Sequence, residues 1–299
     1  MEAADALASA PKRSVGRRLA DLFHGRSRLQ VAALLAGPLG WMVIIYLGSL
    51  AILLVAAFWG VDPLSGELTK SLTTDNFKTL WNDSVYRDVA WRTIRTAALV
   101  TLTDAVLAFP IAFYMAKVAS RRTTAVLVVA VLMPLWSFYL VKVYAWDIML
   151  SANGIVNSML GHIGVNGPGF GIAAVWLVES YLWLPFMILP LYAGLERIPN
   201  SMISASEDLG AGPFTTFRRV ILPLAFPAVV AGSIFTFSLT LGDFITPQLV
   251  GGGTQFIGNV IFSNITNNQP LASAFAMVPI AVMIVYLLIA RRLGAFEHL

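Results

Sequence analysis

Residues 199–227 read PNSMISASEDLGAGPFTTFRRVILPLAFP, a polar, turn-containing island between two long apolar runs. Asn200 or Ser201 can cap a helix, and Ser204 with Glu207 has the spacing of a capping box. Gly210 suits the left-handed residue that ends a helix, Gly212 loosens the turn, and Pro213 is pre-set for a first helical position. Phe214, Phe217 and Val220 then recur at helical spacing into the next apolar run. The residues predict a short exposed helix, a hinge and a new helix. Two readings fit that shape, a plain re-entry loop and a docking surface for a soluble partner.

The rest of the chain sets the solvent in which this island must be understood. Of its 299 residues 58% are hydrophobic and 12% charged, about half the charged share of an ordinary soluble domain. Six apolar runs stand out, roughly residues 31–59, 96–116, 125–146, 172–195, 221–241 and 273–290. Each is long enough to cross ~30 Å of hydrocarbon as a helix. The fold class is therefore all-α, a polytopic membrane protein with six transmembrane helices. Residues 1–30 form a basic tail, residues 31–292 the membrane domain with its polar loop at about 199–223, and residues 293–299 a short tail. The first run is too long for a signal-peptide core and reads as a retained anchor.

The basic residues orient the spans. Lys12, Arg13, Arg17, Arg18, Arg26 and Arg28 precede the first, and Lys117, Arg121 and Arg122 separate the second from the third. Arg197, Arg218 and Arg219 flank the island, and Arg291 and Arg292 end the sixth run. All fall on one side of a six-span chain. The opposite side balances its bases with Asp62, Glu67, Asp75, Asp83 and Asp88. Short basic segments stay cytoplasmic, which places both termini and the island in the cytoplasm. On the outer side, 76–93 reads as an amphipathic helix, and Phe256, Ile257, Val260, Ile261 and Phe262 predict a helix lying against the bundle.

Several chemistries are excluded or unsupported. Without cysteine there is no disulfide, zinc-thiolate or iron–sulfur site. His24, His162 and His298 are scattered outside the apolar runs, which argues against a metal cluster, and the net charge of +4 is explained by orientation rather than nucleic acid. The spans hold neither histidine nor cysteine, so nothing supports an intramembrane enzyme, and no G-x-x-x-x-G-K-[ST] loop is present to bind ATP. Four carboxylates lie in or near the spans, Asp104, Asp147, Glu179 and Asp243, with Lys142 as the one basic residue inside a span and Asp147 as its nearest candidate partner. A charge at mid-bilayer costs about 2.5–3.5 kcal/mol, so such residues usually face a bundle interior or an aqueous path. Asp104 reads as a structural contact, Asp147 and Asp243 as path residues, and Glu179 stays open between the two. Trp136, Tyr144, Trp146, Tyr181 and Trp183 offer cation–π faces beside them. Pro110, Pro134, Pro185, Pro190, Pro223, Pro227 and Pro279 break most spans and fit a moving bundle better than a rigid anchor.

The island resembles the EAA loop of ABC importer permeases. Ser204-Ala-Ser-Glu-Asp-Leu-Gly210-Ala, with Phe217, Val220 and Leu222-Pro223 after it, follows that pattern, although Ser204 stands where the family has Glu and Ser206 at its second Ala. Pro134-Leu-Trp136 with Tyr144, Leu150 to Gly154 with Asn157, Leu184 to Tyr192, Gly242-Asp-Phe244 and Ile257-Gly-Asn-Val260 are similar to the spermidine/putrescine-type subfamily. The similarity runs from about Asn76 to Arg292.

That resemblance implies a type I importer permease fold in the bacterial inner membrane, not an enzyme itself. It implies a second permease subunit, two cytoplasmic ATPases and a periplasmic or surface solute-binding protein as partners. Ser204, Ala205, Glu207, Asp208, Leu209, Gly210, Ala211 and Pro223 would dock an ATPase, and this chain would hold no cofactor, since ATP and magnesium would belong to that ATPase. Asp243, Asp147, Glu179, Trp136, Tyr144 and Tyr181 would border a path for a small organic cation, a polyamine such as spermidine or putrescine first among them. An opine, an amino-acid-like compound, ferric iron or phosphonate is the alternative cargo; a passive channel would not need the island.

Overall fold

The computed structural model describes residues 27–62, 65–162, 164–165 and 167–292; the basic residues from Lys12 to Arg26, His24 and the tail from 293 lie outside them. The chain divides into two units, Met1–Val55 and Ala56–Leu299. The first is an apolar helix, α1 (Ser27–Met42), a π-helical turn (Val43–Leu47) and α2 (Gly48–Ala56), and its segment Leu34–Ala56 is long and apolar enough to span.

The second unit opens with a two-stranded hairpin, β1 (Gly60–Val61) against β2 (Leu68–Thr69). The amphipathic outer stretch is split: α3 (Asp75–Asn82) ends at Asp83, whose carboxylate accepts from the Val85 N–H and starts α4 (Ser84–Phe113). Side-chain hydrogen bonds from Lys78 and Thr73 hold the exposed Asp75 carboxyl below its ordinary range. α4 runs on through a π-helical turn, Tyr114–Val118, so the second span begins well before the apolar run at Thr96.

The third apolar run does not form one straight helix. α5 (Arg121–Trp136) breaks at Ser137 and Phe138, and α6 (Tyr139–Leu150), followed by α7 (Ile155–His162), departs at 88°. Sixteen residues rise only ~24 Å, less than the hydrocarbon thickness, so the turn falls within membrane depth. Among the described residues five helices are long and apolar enough to cross alone, and there are six spans if the bent pair counts as one. The break frees the Pro134 carbonyl, which accepts from Ser137 Oγ at 2.9 Å and from Lys142 Nζ at 3.1 Å. Lys142 therefore serves as a helix cap and not as the partner of Asp147.

α8 (Ile172–Arg197), α9 (Asn200–Asp208), α10 (Pro213–Thr216), a third π-helical turn (Phe217–Ile221) and α11 (Leu222–Gly242) follow. That π turn precedes Pro223, whose missing N–H leaves a carbonyl of the turn free. After α11, α12 (Ile245–Val250) and α13 (Ile257–Asn264) lead into α14 (Gln269–Arg292). The predicted helix against the bundle is α13: Phe256 and Ile257 are buried, and the Ile257 N–H donates to Thr93 Oγ1 of α4 at 3.0 Å.

The centre of the unit is the triple contact of α4, α8 and α11. α8 and α11 meet through small residues: a Cβ added at Gly194 would lie 2.2 Å from Ala228 Cβ, and one at Gly232 2.7 Å from Met187 Sδ. Helices gain little hydrophobic drive toward one another in lipid, so close backbone approach at small residues is what packs them. Ala112, Met115, Met187, Leu191 and Leu195 fill the half of this core nearer the 199–223 loop.

Candidate functional site

Two features of the second unit carry chemistry: a polar centre among the spans and the polar loop at 199–223. The centre is built at the C-terminal end of α11. Asp243 is 8% exposed, and its carboxylate accepts from the backbone N–H of Ile245 at 2.9 Å and of Thr246 at 3.3 Å. Tyr139, the first residue of α6 after the break, places its hydroxyl 2.6 Å from each Asp243 oxygen and 2.9 Å from Thr246 Oγ1. The Tyr139 ring stacks on Trp183 of α8, centroids 5.8 Å apart at 10°. Tyr139, Trp183, Asp243 and Ile245, with Ser238, Leu239 and Phe244, line an open cavity of about 320 Å³. A carboxylate beside two aromatic faces has the chemistry that attracts an organic cation.

Deeper in the packing, Glu179 of α8 and Asp104 of α4 are both 0% exposed. Glu179 lies within electrostatic reach of Asp104 and of Asp243. The three acids thus converge from three helices, and Asp104, read from sequence as a plain structural contact, joins the group.

The other path candidates divide. Trp146 and Tyr181 meet edge to face, centroids 5.5 Å apart, with Asp147 half-buried beside them on α6. Trp136, 90% exposed at the break, and Tyr144 face away from this chain's interior. Tyr139 and Thr246 were not among the sequence candidates. A tyrosine just past a proline-ended helix is the signal for the first; the i, i+4 spacing of Glu179 and Trp183 ties the aromatic pair to the acid.

In the 199–223 loop α9 is short and ends as its residues predict, with Gly210 at φ +81° and its N–H donating to the Glu207 carbonyl. Pro213 opens α10. Pro199, not Asn200 or Ser201, occupies the cap position. Asn200 Oδ1 instead accepts from Lys117 Nζ, which also donates to the Ile198 carbonyl. One ammonium therefore joins the end of the second span to the hinge between α8 and α9. Ser206 Oγ and Thr216 Oγ1, 3.0 Å apart, close the other side of the loop.

Ser204, Ala205, Glu207, Asp208 and Leu209 are exposed, as are Gly210 and Pro223; Ala211 is half-buried. Leu209 reaches 89% exposure. A groove of about 750 Å³ runs along the loop past Met202, Ala205, Leu209 and Pro223. The groove is largely apolar, the kind of patch that a monomeric surface seldom leaves exposed.

Residues 89–295 match the family model described as binding-protein-dependent transport system inner membrane component. The chain belongs to that family. The permease protein YdcU of Escherichia coli K12, an inner membrane ABC transporter permease, is 44% identical over 306 residues, covering 97% of both chains. The spermidine/putrescine transport system permease PotB of Haemophilus influenzae is 35% identical over 213 residues, 69% of this chain and 74% of its own. A crystallised bacterial importer of the polysaccharide alginate shares the fold at a TM-score of 0.71, with 19% identity over 92% of this chain and 97% of its own. As an ABC importer permease the chain is a multi-pass component of the inner membrane, with the polar centre inside its bundle and the groove on its longest basic-flanked loop.

Proposed function

We propose that this permease carries a polyamine-class organic cation inward, one of a pair of membrane subunits driven by two cytoplasmic ATPases and fed by a solute-binding protein. The observation that carries the cargo is the Asp243–Tyr139–Trp183 cavity: a carboxylate with two stacked rings, in an interior whose one basic side chain is occupied by a carbonyl. An anionic cargo such as a phosphonate would want Arg or Lys there. The spermidine/putrescine assignment of PotB agrees with this chemistry. Charge-assisted hydrogen bonds contribute about 1.5–3 kcal/mol and cation–π contacts about 0.5–2, enough to guide a cargo whose affinity resides mainly in the binding protein.

The cycle follows from the parts. Both termini and the 199–223 loop face the cytoplasm, on the distribution of basic residues. α9 seats in a cleft of an ATPase, which holds ATP and magnesium. Closure of the ATPase pair tilts α9, and the hinge passes the motion to α8 and, through Lys117, to α4. The broken third span and the proline-bearing helices let the cavity change sides.

The reading is tested by uptake of radiolabelled putrescine and spermidine in cells with and without the gene for this chain. Equal uptake in both would sink it. Within the site, Asp243→Asn separates two roles, because asparagine keeps the acceptor that caps α12 while removing the charge. Import is expected to fall about tenfold, the worth of one charge-assisted contact, with the amount of assembled complex unchanged; unaltered import would argue against a cationic cargo at this position. Lys117→Met is expected to leave ATP hydrolysis within about twofold of wild type and to cut import about tenfold, since the lost contacts of the ammonium are of similar size. A parallel loss of both activities would assign Lys117 to folding instead.

A further inference from the structure

Packing does not explain the acid pair at the centre of the bundle. Glu179 and Asp104 are fully buried, and none of their four carboxylate oxygens finds a hydrogen-bond partner among the described residues. They come from α8 and α4, two of the three helices in closest contact. The ionisable groups that act on Glu179 or feel it are Asp104, Asp243 and Tyr139, none of which supplies a positive charge. Lys142 is engaged with the Pro134 carbonyl.

A buried polar atom without a partner is costly, and more so when charged. A position that served packing alone would be met by an apolar or hydrogen-bonded side chain. Among the described residues no group of three or more His, Cys, Asp or Glu is arranged to hold a metal ion, which favours an organic cation. Trp183 stands four residues from Glu179 on the same face of α8, its own Nε1 buried and unpartnered. Its ring stacks on Tyr139, which lies against Asp243.

We propose that Glu179 and Asp104 form a second, occluded cation site, taking an ammonium group of the cargo beyond the Asp243 cavity. A linear diamine or polyamine carries a second ammonium and can engage both sites; a monoamine engages one at a time. The interior would then discriminate by the number of ammonium groups. This inference rests on the cationic-cargo reading above.

The test is protection of the purified transporter, in lipid nanodiscs, against thermal unfolding by putrescine and by butylamine. Wild type is expected to be protected by putrescine at a concentration at least about tenfold below that of butylamine, one charge-assisted contact being worth about that factor. Glu179→Gln is expected to raise the putrescine requirement to that of butylamine, to leave the butylamine requirement unchanged, and not to lower the unliganded melting temperature. Asp104→Asn, from the other helix, should behave alike. Wild-type putrescine protection in both variants would overturn the second site alone. A sharp fall in unliganded melting temperature in both would make the pair structural and overturn it as well. Failure of putrescine to protect the wild type would reject the cationic-cargo reading itself.

Discussion

Changing Leu209 to aspartate is expected to strip the ATPase from the membrane complex while the chain itself stays folded. Leu209 closes α9 and is 89% exposed, and its backbone N–H already donates to the Ala205 carbonyl. Its side chain therefore contributes almost nothing to the fold of this chain. On the proposed docking surface the same leucine is the most exposed large apolar side chain, at the edge of a groove about 750 Å³ in volume. Central apolar anchors of an interface each contribute about 2 kcal/mol or more, roughly a thirtyfold change in affinity, and a carboxylate buried against the partner adds its own desolvation. Co-purification of the ATPase with tagged wild-type and L209D chains reads the effect directly. Equal recovery of the ATPase with both chains would show that the 199–223 loop does not dock it.

The second large effect is expected inside the bundle. Gly194→Val should prevent the chain from reaching a stable membrane-embedded state. Even a single added Cβ would stand 2.2 Å from Ala228 Cβ, a separation that forces α8 and α11 apart. Overpacking of a closed core costs about 1–3 kcal/mol, and here the displacement passes along the contact to Gly232 against Met187. The two helices in that contact carry Glu179 and lead into Asp243, so the polar centre is lost with it. Gly161→Ala is the control, because a Cβ there meets nothing within 4 Å. Detergent-solubilised yield and melting temperature should collapse for the valine variant and stay at wild-type level for the control; a well-folded G194V chain would refute the close-approach account.

Much of the fold was legible in the residues because its causes are local. In lipid each spanning helix must satisfy its own backbone, so a long apolar run is enough to mark a span, and the runs at 172–195, 221–241 and 273–290 reappear inside α8, α11 and α14. The loop was legible for the same reason: Gly210 and Pro213 act on their own φ angles and on neighbouring carbonyls. The third run misled because hydropathy does not register a break of two residues. Ser137 and Phe138 keep the run apolar enough while Pro134 and the Lys142 cap turn the chain.

What the sequence by itself determined is therefore the all-helical membrane class and the short helix that ends at Gly210. What only the tertiary structure decided is which polar groups meet. Asp104, Glu179 and Asp243 lie far apart in the chain, and Tyr139 reaches Asp243 across 104 residues. Their convergence depends on the rotation of α4, α8 and α11 about their own axes. That rotation is set by close contacts between small residues on different helices, a long-range steric fit that no local pattern of hydropathy or charge encodes.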